Sequence, residues 1–438
     1  MKLRRVLTTA DAAWLVAGNM VGAGIFVTPG LVAAQLPSPV WILLAWLLGG
    51  FISLAGAAVY AELGTRLPEA GGDYQYLNAA FGPLWGFLTG WTAFILTFSA
   101  STAAMAIASM GYLEQAVPAL QELPHGATTA GGALLILVLT AANTAGARVA
   151  GRATAAFTAI PVGGLLLLFA VGMLFGGGGD AGHEPAVAEA PSSVGLALGA
   201  AMLPIFFTYS GWNAAAYVAG EIRSPGRSLP KALLVGTGLV TILYIAFNAG
   251  LLWILPRETL IGSTSAGTAA ARALLGPGAE RLLSVLIAVA IVGSANVTLM
   301  AGARVYYAMA ADSLAPRFLS RINRHGVPAN ALWVGGVWSA LLAATGTFSR
   351  LLAWATLALL LMSSLAVCTI FVLRARRPGD APYKCPGYPF TPVAYLAAAL
   401  LAVGAHAVAE PQEALIGILL VAAGLPAYAL VRRVMRRA

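Results

Sequence analysis

The stretch GNMVGAGIFVTPG, residues 18–30, lies where a continuous apolar helix would be expected. It carries Gly18, Gly22 and Gly24 in its first part and Pro29 near its end. Glycine weakens a helix through its conformational freedom, and proline removes a backbone hydrogen bond. If the chain spans a membrane, such a break survives only where protein or a water-filled cavity surrounds it. The stretch therefore predicts an interrupted helix that lines a cavity.

The composition indicates that the chain is an integral membrane protein. Its 438 residues are 59% hydrophobic and only 9% charged, and the mean hydropathy is +0.84. A soluble globular domain has about 25% charged residues. The segments between apolar stretches hold too little apolar material for a soluble domain, so a single transmembrane domain over residues 1–438 is expected.

Apolar stretches of about 20 residues, almost free of charge, recur along the chain and match the ~30 Å hydrocarbon core of a bilayer. They predict an all-α polytopic protein with twelve transmembrane helices. The predicted spans are roughly 12–35, 39–64, 83–113, 127–147, 153–175, 194–219, 231–255, 281–309, 328–346, 350–373, 390–409 and 413–431. The basic N-terminus is similar to a signal peptide, but no plausible small-residue cleavage site follows, so we expect the first helix to be retained.

The distribution of positive charge predicts the orientation. With the N-terminus inside, twenty of the 25 Lys and Arg residues lie on the inner side of the predicted spans. Cytoplasmic loops carry such an excess. We therefore expect a multi-pass protein of the inner, cytoplasmic membrane with both termini in the cytoplasm. The basic residues are not pooled in one soluble module, so no nucleic acid partner is expected.

The sequence contains no cluster of groups typical of an enzyme or a metal site. Histidine and cysteine occur singly, in different segments, at His125, His183, His325, His406, Cys368 and Cys385. A glycine-rich phosphate-binding loop is also missing from the sequence. We therefore expect neither catalysis, nor a metal site, nor a cofactor.

A second weakened segment opens the sixth predicted span, LPIFFTYSGWNAAAYVAG at residues 203–220. Pro204 removes a helix hydrogen bond, and Ser210 and Gly211 follow. Interrupted helices at matching positions of two halves are typical of transporters built from inverted repeats, with the binding site near the midplane. The predicted repeats are about 11–175 and about 194–373, followed by the last two helices at about 390–431.

Two broken helices suit a particular ligand chemistry. The half-helix after a break offers free N–H groups and a positive dipole end, and the half before it offers free carbonyl groups. An α-amino acid carries both a carboxylate and an ammonium group. The ionisable residues of the spans, Glu62 and Arg304, lie near predicted cytoplasmic ends, and an unpaired charge at mid-membrane costs several kcal/mol. The expected substrates therefore have uncharged side chains.

Each feature also has a simpler structural explanation. Gly18 and Gly22 form a GxxxG spacing, which membrane helices use for close packing. The YSGWN stretch could be an aromatic helix with an incidental glycine. Asn213 is costly inside a span unless it is paired, which favours a functional or helix-bridging role. Arg304 is expected to snorkel or to pair locally.

Three motifs together resemble the amino acid, polyamine and organocation transporter superfamily. They are GNMVGAGIFVTPG at 18–30, YAELGTRLPEAGGDYQYL at 60–77 and FTYSGWNAAAYVAGEIRSPGRSLPKAL at 207–233. The third is similar to the L-type amino acid transporter branch in particular, with an aromatic residue, a small pair and Trp-Asn. The resemblance covers essentially the full length of the chain.

The resemblance implies a LeuT-like fold in which the first ten helices form two inverted five-helix repeats, helices 1 and 6 are unwound, and transport proceeds by alternating access. It implies a secondary transporter or exchanger of neutral L-amino acids. The implied substrate-binding residues are Val21, Gly22, Ala23, Gly24, Ile25, Phe207, Ser210, Gly211 and Asn213. Phe207 is also the implied gate. Ser294 and Asn296 of helix 8 are implied coupling or helix-bridging residues.

Several alternatives stay open at this point. Many sodium-independent relatives have a lysine where this chain has Pro161, so exchange, uniport, sodium coupling and proton coupling are all possible. A cationic amino acid or polyamine exchanger would need an acid in the cavity, for which Glu62 is the only candidate. A passive channel is an alternative of a different class. Besides the lipid bilayer and a small-molecule substrate, the sequence requires no partner subunit.

Overall fold

The structure is a computed structural model and is entirely helical apart from one isolated bridge between Leu7 and Ile222 within the part of the chain that it describes. It describes residues 3–124, 126–146, 155–164, 166–167, 170, 194–263, 265–345, 348–376, 379 and 381–435. Parts of the predicted fifth span, 153–175, and all of residues 176–193 lie outside the described residues. The predicted all-α class is confirmed.

The helices follow one another along the chain with short connections. The first eight are α1 Thr9–Met20, α2 Gly24–Gln35, α3 Pro39–Arg66, α4 Asp73–Phe81, α5 Pro83–Thr92, α6 Phe98–Ala116, α7 Ala127–Asn143 and α8 Ala155–Gly164. The next six are α9 Val194–Tyr209, α10 Ala214–Tyr217, α11 Pro225–Ile254, α12 Arg257–Gly262, α13 Ala266–Leu275 and α14 Pro277–Ala311. The last five are α15 Ala329–Thr345, α16 Phe348–Arg376, α17 Phe390–Ala409, α18 Pro411–Ala422 and α19 Gly424–Met435.

Seven helices in the described part are long and apolar enough to cross a membrane, with α5 joined to α6 and α18 joined to α19. The bent pair α1 and α2 would be an eighth span. Four shorter apolar helices, α7, α8, α9 and α15, fall within further predicted spans. The multi-pass character is therefore clear, and the count of twelve spans stays a prediction.

Long helices surround the interrupted ones. Helix α14 packs against α6, α1 and α10, and helix α11 packs against α3 and α1. Large apolar side chains on the outside of the bundle are exposed, for example Leu134 at 63% and Ile242 at 67%. Such a surface would be unfavourable in water and suits contact with lipid chains.

One end of the bundle, which we call the α4 end, holds α4 together with the chain segments next to α1 and α10. The Leu7 N–H donates to the Glu221 carbonyl at 2.9 Å, and the Arg223 N–H donates to the Leu7 carbonyl at 2.9 Å. Gly72 has φ +51°, and a Cβ there would lie 2.6 Å from the Tyr217 ring. These contacts tie the segment before α1, the segment after α10 and the start of α4 into one layer.

Candidate functional site

The first predicted break lies between α1 and α2. Helix α1 ends at Met20, helix α2 begins at Gly24, and their axes differ by 46°. The Gly22 N–H turns back to the Met20 carbonyl at 2.9 Å. The N–H groups of Ala23, Gly24 and Ile25 have no hydrogen-bond partner among the described residues. The start of α2 therefore presents unpaired donors at the positive end of a helix dipole.

The second predicted break follows α9. Helix α9 ends at Tyr209 and α10 begins at Ala214. Gly211 has φ +99°, a conformation that favours glycine, and a Cβ there would lie 2.9 Å from the backbone carbonyl carbon of Asn19. Glycine is needed at this position for both its conformation and the close approach of the first break.

The two interrupted helices also touch directly at Gly24. A Cβ on Gly24 would lie 2.9 Å from the Cα of Thr208, so any larger residue there would push the helices apart. The Thr208 hydroxyl donates to the Thr28 hydroxyl at 2.8 Å and fastens α9 to α2. Gly24 therefore serves close packing, and it also lines the small central space described below.

Tyr244 on α11 bridges the two breaks, a role that no sequence pattern indicates. Its hydroxyl lies 2.6 Å from the Met20 carbonyl and 3.2 Å from the Thr208 carbonyl, and it donates to both. These carbonyl groups belong to the last turns before the breaks, where helices lack internal donors. A tyrosine in an apolar helix is too common a feature for sequence analysis to have singled it out.

Helix α14 holds the end of α1 in place. Ser294 donates to the Asn19 carbonyl at 2.9 Å, and Thr298 donates to the Asn19 Oδ1 at 2.8 Å. Ser294 thus bridges two helices at the break. Asn296 accepts a hydrogen bond from Asn143 of α7 at 2.6 Å and so links α14 to a different helix.

A small central space separates the breaks from α6 and α14. Its volume is about 20 Å³, which is room for roughly one water molecule and too little for an amino acid. It is lined by Asn19, Met20, Gly22, Ala23, Gly24, Ala104, Met105, Phe207, Thr208, Ser210 and Ser294. None of these lining residues is ionisable, so any ligand here would meet only backbone dipoles, hydroxyl groups, an amide and apolar groups.

A second, larger cavity of about 470 Å³ lies beyond Phe207. It runs along α2 from Ala23 to Gln35, and α9, α16 and α17 form its other walls. Ala23, Gly24 and Phe207 border both spaces. The Phe207 ring therefore belongs to the partition between the closed central space and an open cavity of the size that small-molecule ligands occupy.

Not every implied site residue borders the central space. Val21 and Ile25 are buried at 1% exposure, and Gly211 packs on Asn19. Asn213 is buried, and its Nδ2 donates to the Tyr217 hydroxyl at 3.3 Å. These four residues belong to or flank the breaks but do not line the central space.

Glu62, a buried carboxylate at the α4 end, forms ion pairs. Arg66 and Arg374 both donate to the Glu62 carboxylate, which also accepts the Cys385 N–H at 2.7 Å. A cationic ligand would therefore find this carboxylate already occupied by two guanidinium groups.

A second ion pair links α14 to the segment after α10. Arg304 pairs with Glu221 at 2.7 Å, and both side chains are at most 1% exposed. Arg304 therefore pairs, as the sequence suggested, although its partner is 83 residues away.

Comparison with known proteins identifies similar chains along nearly the whole length. The profile of the family described as amino acid permease matches residues 7–418. The serine/threonine exchanger SteT of Bacillus subtilis (strain 168) is 31% identical over 434 residues, which cover 97% of this chain and 96% of that protein. The large neutral amino acids transporter small subunit 2 of Homo sapiens is 29% identical, with 97% of this chain and 80% of that protein covered. The Asc-type amino acid transporter 1 of Mus musculus is 29% identical, with 97% and 81% covered.

Proposed function

Because the chain belongs to the amino acid permease family, we propose that it exchanges neutral L-amino acids across the cytoplasmic membrane by alternating access. It is a transporter and not an enzyme. The observation that carries the proposal is the pair of interrupted helices, α1–α2 and α9–α10, which meet around a space without ionisable side chains. The names of the relatives support it, since one is an exchanger of serine and threonine and another a transporter of large neutral amino acids.

The proposed binding mode uses the backbone. The substrate carboxylate accepts hydrogen bonds from the N–H groups at the start of α2, between Gly22 and Ile25, where the helix dipole favours an anion. The ammonium group faces the carbonyl groups at the ends of α1 and α9. The residues proposed to bind substrate remain Val21, Gly22, Ala23, Gly24, Ile25, Phe207, Ser210, Gly211 and Asn213.

Phe207 is the proposed gate. It borders both the closed central space and the larger cavity, so a change of its rotamer would connect them. Replacing Phe207 with alanine should abolish uptake because the partition is lost while the fold remains. The check is labelled uptake together with the thermal stability of the purified variant, and wild-type uptake would contradict the assignment. Phe207→Tyr keeps the ring and should retain uptake.

The observations favour a neutral substrate over a cationic one. Glu62 was the only acid that sequence analysis offered for a cationic substrate, and its oxygens accept hydrogen bonds from Arg66, Arg374 and the Cys385 N–H. Recruiting Glu62 for a cationic substrate would leave two arginines without their partner, at a cost of several kcal/mol for a buried charge.

We also propose the finer architecture. Twelve spans with two inverted repeats, about 11–175 and about 194–373, followed by two further helices at about 390–431, are supported by the sequence pattern. The excess of Lys and Arg on one side of the predicted spans supports an inner-membrane protein with cytoplasmic termini. In this orientation the α4 end of the bundle lies on the cytoplasmic side. The human relative is named as a small subunit; we propose that the present chain works without a partner subunit.

The test is transport by the purified chain alone in proteoliposomes. Vesicles preloaded with unlabelled L-alanine should accelerate the uptake of labelled L-alanine, and small or branched neutral amino acids should compete while arginine and putrescine should not. Repeating the assay with and without Na⁺ and a pH gradient identifies the coupling. Uptake that neither saturates nor responds to internal substrate would indicate a channel, and strong competition by arginine would indicate a cationic exchanger.

A further inference from the structure

Asp73, the first residue of α4, is a buried carboxyl group at the α4 end. It is 5% exposed. The Tyr217 hydroxyl donates to its Oδ2 at 2.8 Å. Its Oδ1 has no hydrogen-bond partner among the described residues. A buried carboxylate with half of its acceptors unsatisfied is costly, so its position calls for a physical explanation.

Hydrogen bonds connect Asp73 to the second helix break. Tyr217 ends helix α10, which begins directly after the break, and its hydroxyl also accepts the Asn213 amide at 3.3 Å. The Tyr217 carbonyl accepts the Gly71 N–H at 3.0 Å. The series Asp73, Tyr217, Asn213 therefore joins the start of α4 to residues 210–213, where the helix is interrupted.

The electrostatic setting of Asp73 differs from that of the other buried acids at this end. Glu62 and Glu221 each face arginine, whereas no salt bridge found among the described residues includes Asp73. The titratable groups around Asp73 are four tyrosines of α3, α4, α10 and α17, namely Tyr60, Tyr76, Tyr217 and Tyr395. One further acid, Glu69, interacts with Tyr76. Burial raises the pKa of Asp73 to about 6, although the hydroxyl groups of Tyr60 and Tyr217 act in the opposite direction.

We propose that Asp73 is a positioning residue for the gate at the α4 end, acting through Tyr217 on the broken helix, and that the gate is held closed when Asp73 is protonated. This inference rests on the proposed transport function. The gate opens when α10 and the start of α4 separate and water reaches the carboxyl group. Hydration stabilises the ionised form, so an ionised Asp73 favours opening.

The direction of the pH effect follows from linkage. In the closed gate the pKa of Asp73 is about 6, and in the hydrated open gate it returns toward ~3.9. Protons therefore bind more tightly to the closed state, and lowering the pH from 7 to 5 shifts the equilibrium toward the closed gate by about tenfold. The proton enters and leaves on the same side, so this device regulates transport without moving protons across the membrane.

The experiment is exchange of labelled L-alanine in proteoliposomes, with the same pH inside and outside, between pH 5 and pH 8. We expect the wild-type rate to fall by several-fold, up to about tenfold, as the pH drops through about 6. Asp73→Asn cannot ionise, so its rate should be slow and independent of pH in this range. Tyr217→Phe removes the hydrogen bond that stabilises the ionised form and should move the midpoint to higher pH.

Asp312→Asn is the matched control. Asp312 also accepts a hydrogen bond from a tyrosine of α4, Tyr74 at 2.8 Å, but it is exposed. This variant should keep the wild-type pH profile. A wild-type protein that exchanges alanine at the same rate from pH 5 to pH 8, or a folded Asp73→Asn variant with the wild-type profile, would overturn the inference. Absence of exchange by the wild type at every pH would instead overturn the proposed function.

Discussion

The centre of the molecule and its α4 end handle charge in opposite ways. Around the breaks no lining residue is ionisable, and the polar groups are backbone N–H and carbonyl groups with a few hydroxyl and amide side chains. At the α4 end, carboxylates and guanidinium groups are buried together, as in the Glu221–Arg304 pair. A binding site that accepts and releases a zwitterion is empty for part of the transport cycle. A fixed charge in the empty site would need its own partner, so a site without charged side chains suits this role best. A gate, by contrast, must close in a single arrangement. A buried ion pair favours that arrangement, because its two charges lose their partners in any other geometry.

The largest effect should come from breaking the buried pair at the α4 end. Glu221→Gln leaves Arg304 buried without a counter-charge and should lower the free energy of unfolding by about 3–5 kcal/mol. The double variant Glu221→Gln/Arg304→Met removes both charges and should recover much of this loss. Thermal unfolding of the purified proteins measures both effects. Equal stability of the single variant and the wild type would show that the α4 end does not depend on the pairing of its buried charges.

The next largest effect should come from filling the close contact at the centre. In Gly24→Val the new Cβ meets the Thr208 backbone at 2.9 Å, so α2 must shift away from α9. A displacement of about 1 Å in a binding site can cost about 100-fold in activity, and labelled uptake should fall by that order. Gly238→Val is the control, because a Cβ at Gly238 meets nothing within 4 Å. Similar uptake by the two variants would show that the contact at Gly24 is unimportant.

A smaller effect should follow from loosening the support of the first break. Ser294→Ala removes the hydrogen bond to the Asn19 carbonyl, which is worth about 1 kcal/mol, and should raise KM several-fold with little change in thermal stability. Ser284 lies on the same helix but donates only within it, to Glu280. Ser284→Ala should therefore leave KM unchanged, and an equal rise of KM in both variants would argue against a specific role for Ser294.

The helix breaks could be located from glycine, which acts locally, whereas Pro29 and Pro204 lie inside α2 and α9 and do not interrupt them. Gly22, Gly24 and Gly211 could all be inferred from short windows of sequence. The packing of Gly24 on Thr208 could not, because it depends on how two distant helices meet.

The residues that hold the breaks in place were beyond sequence analysis for the same reason. Tyr244 reaches Met20 across 224 residues, and Ser294 reaches Asn19 across 275. Such contacts depend on tertiary packing and have no local pattern. Asn296 illustrates the opposite case: the resemblance grouped it with Ser294, but their side chains reach different helices, α7 and α1.

The most direct test of the central claim is an experimental structure of the protein with bound L-alanine or L-leucine. We expect the carboxylate to lie about 3 Å from the N–H groups at the start of α2, and the ammonium group to face the carbonyl groups that end α1 and α9. A substrate held by charged side chains elsewhere, or bound only in the larger cavity beyond Phe207, would contradict the account.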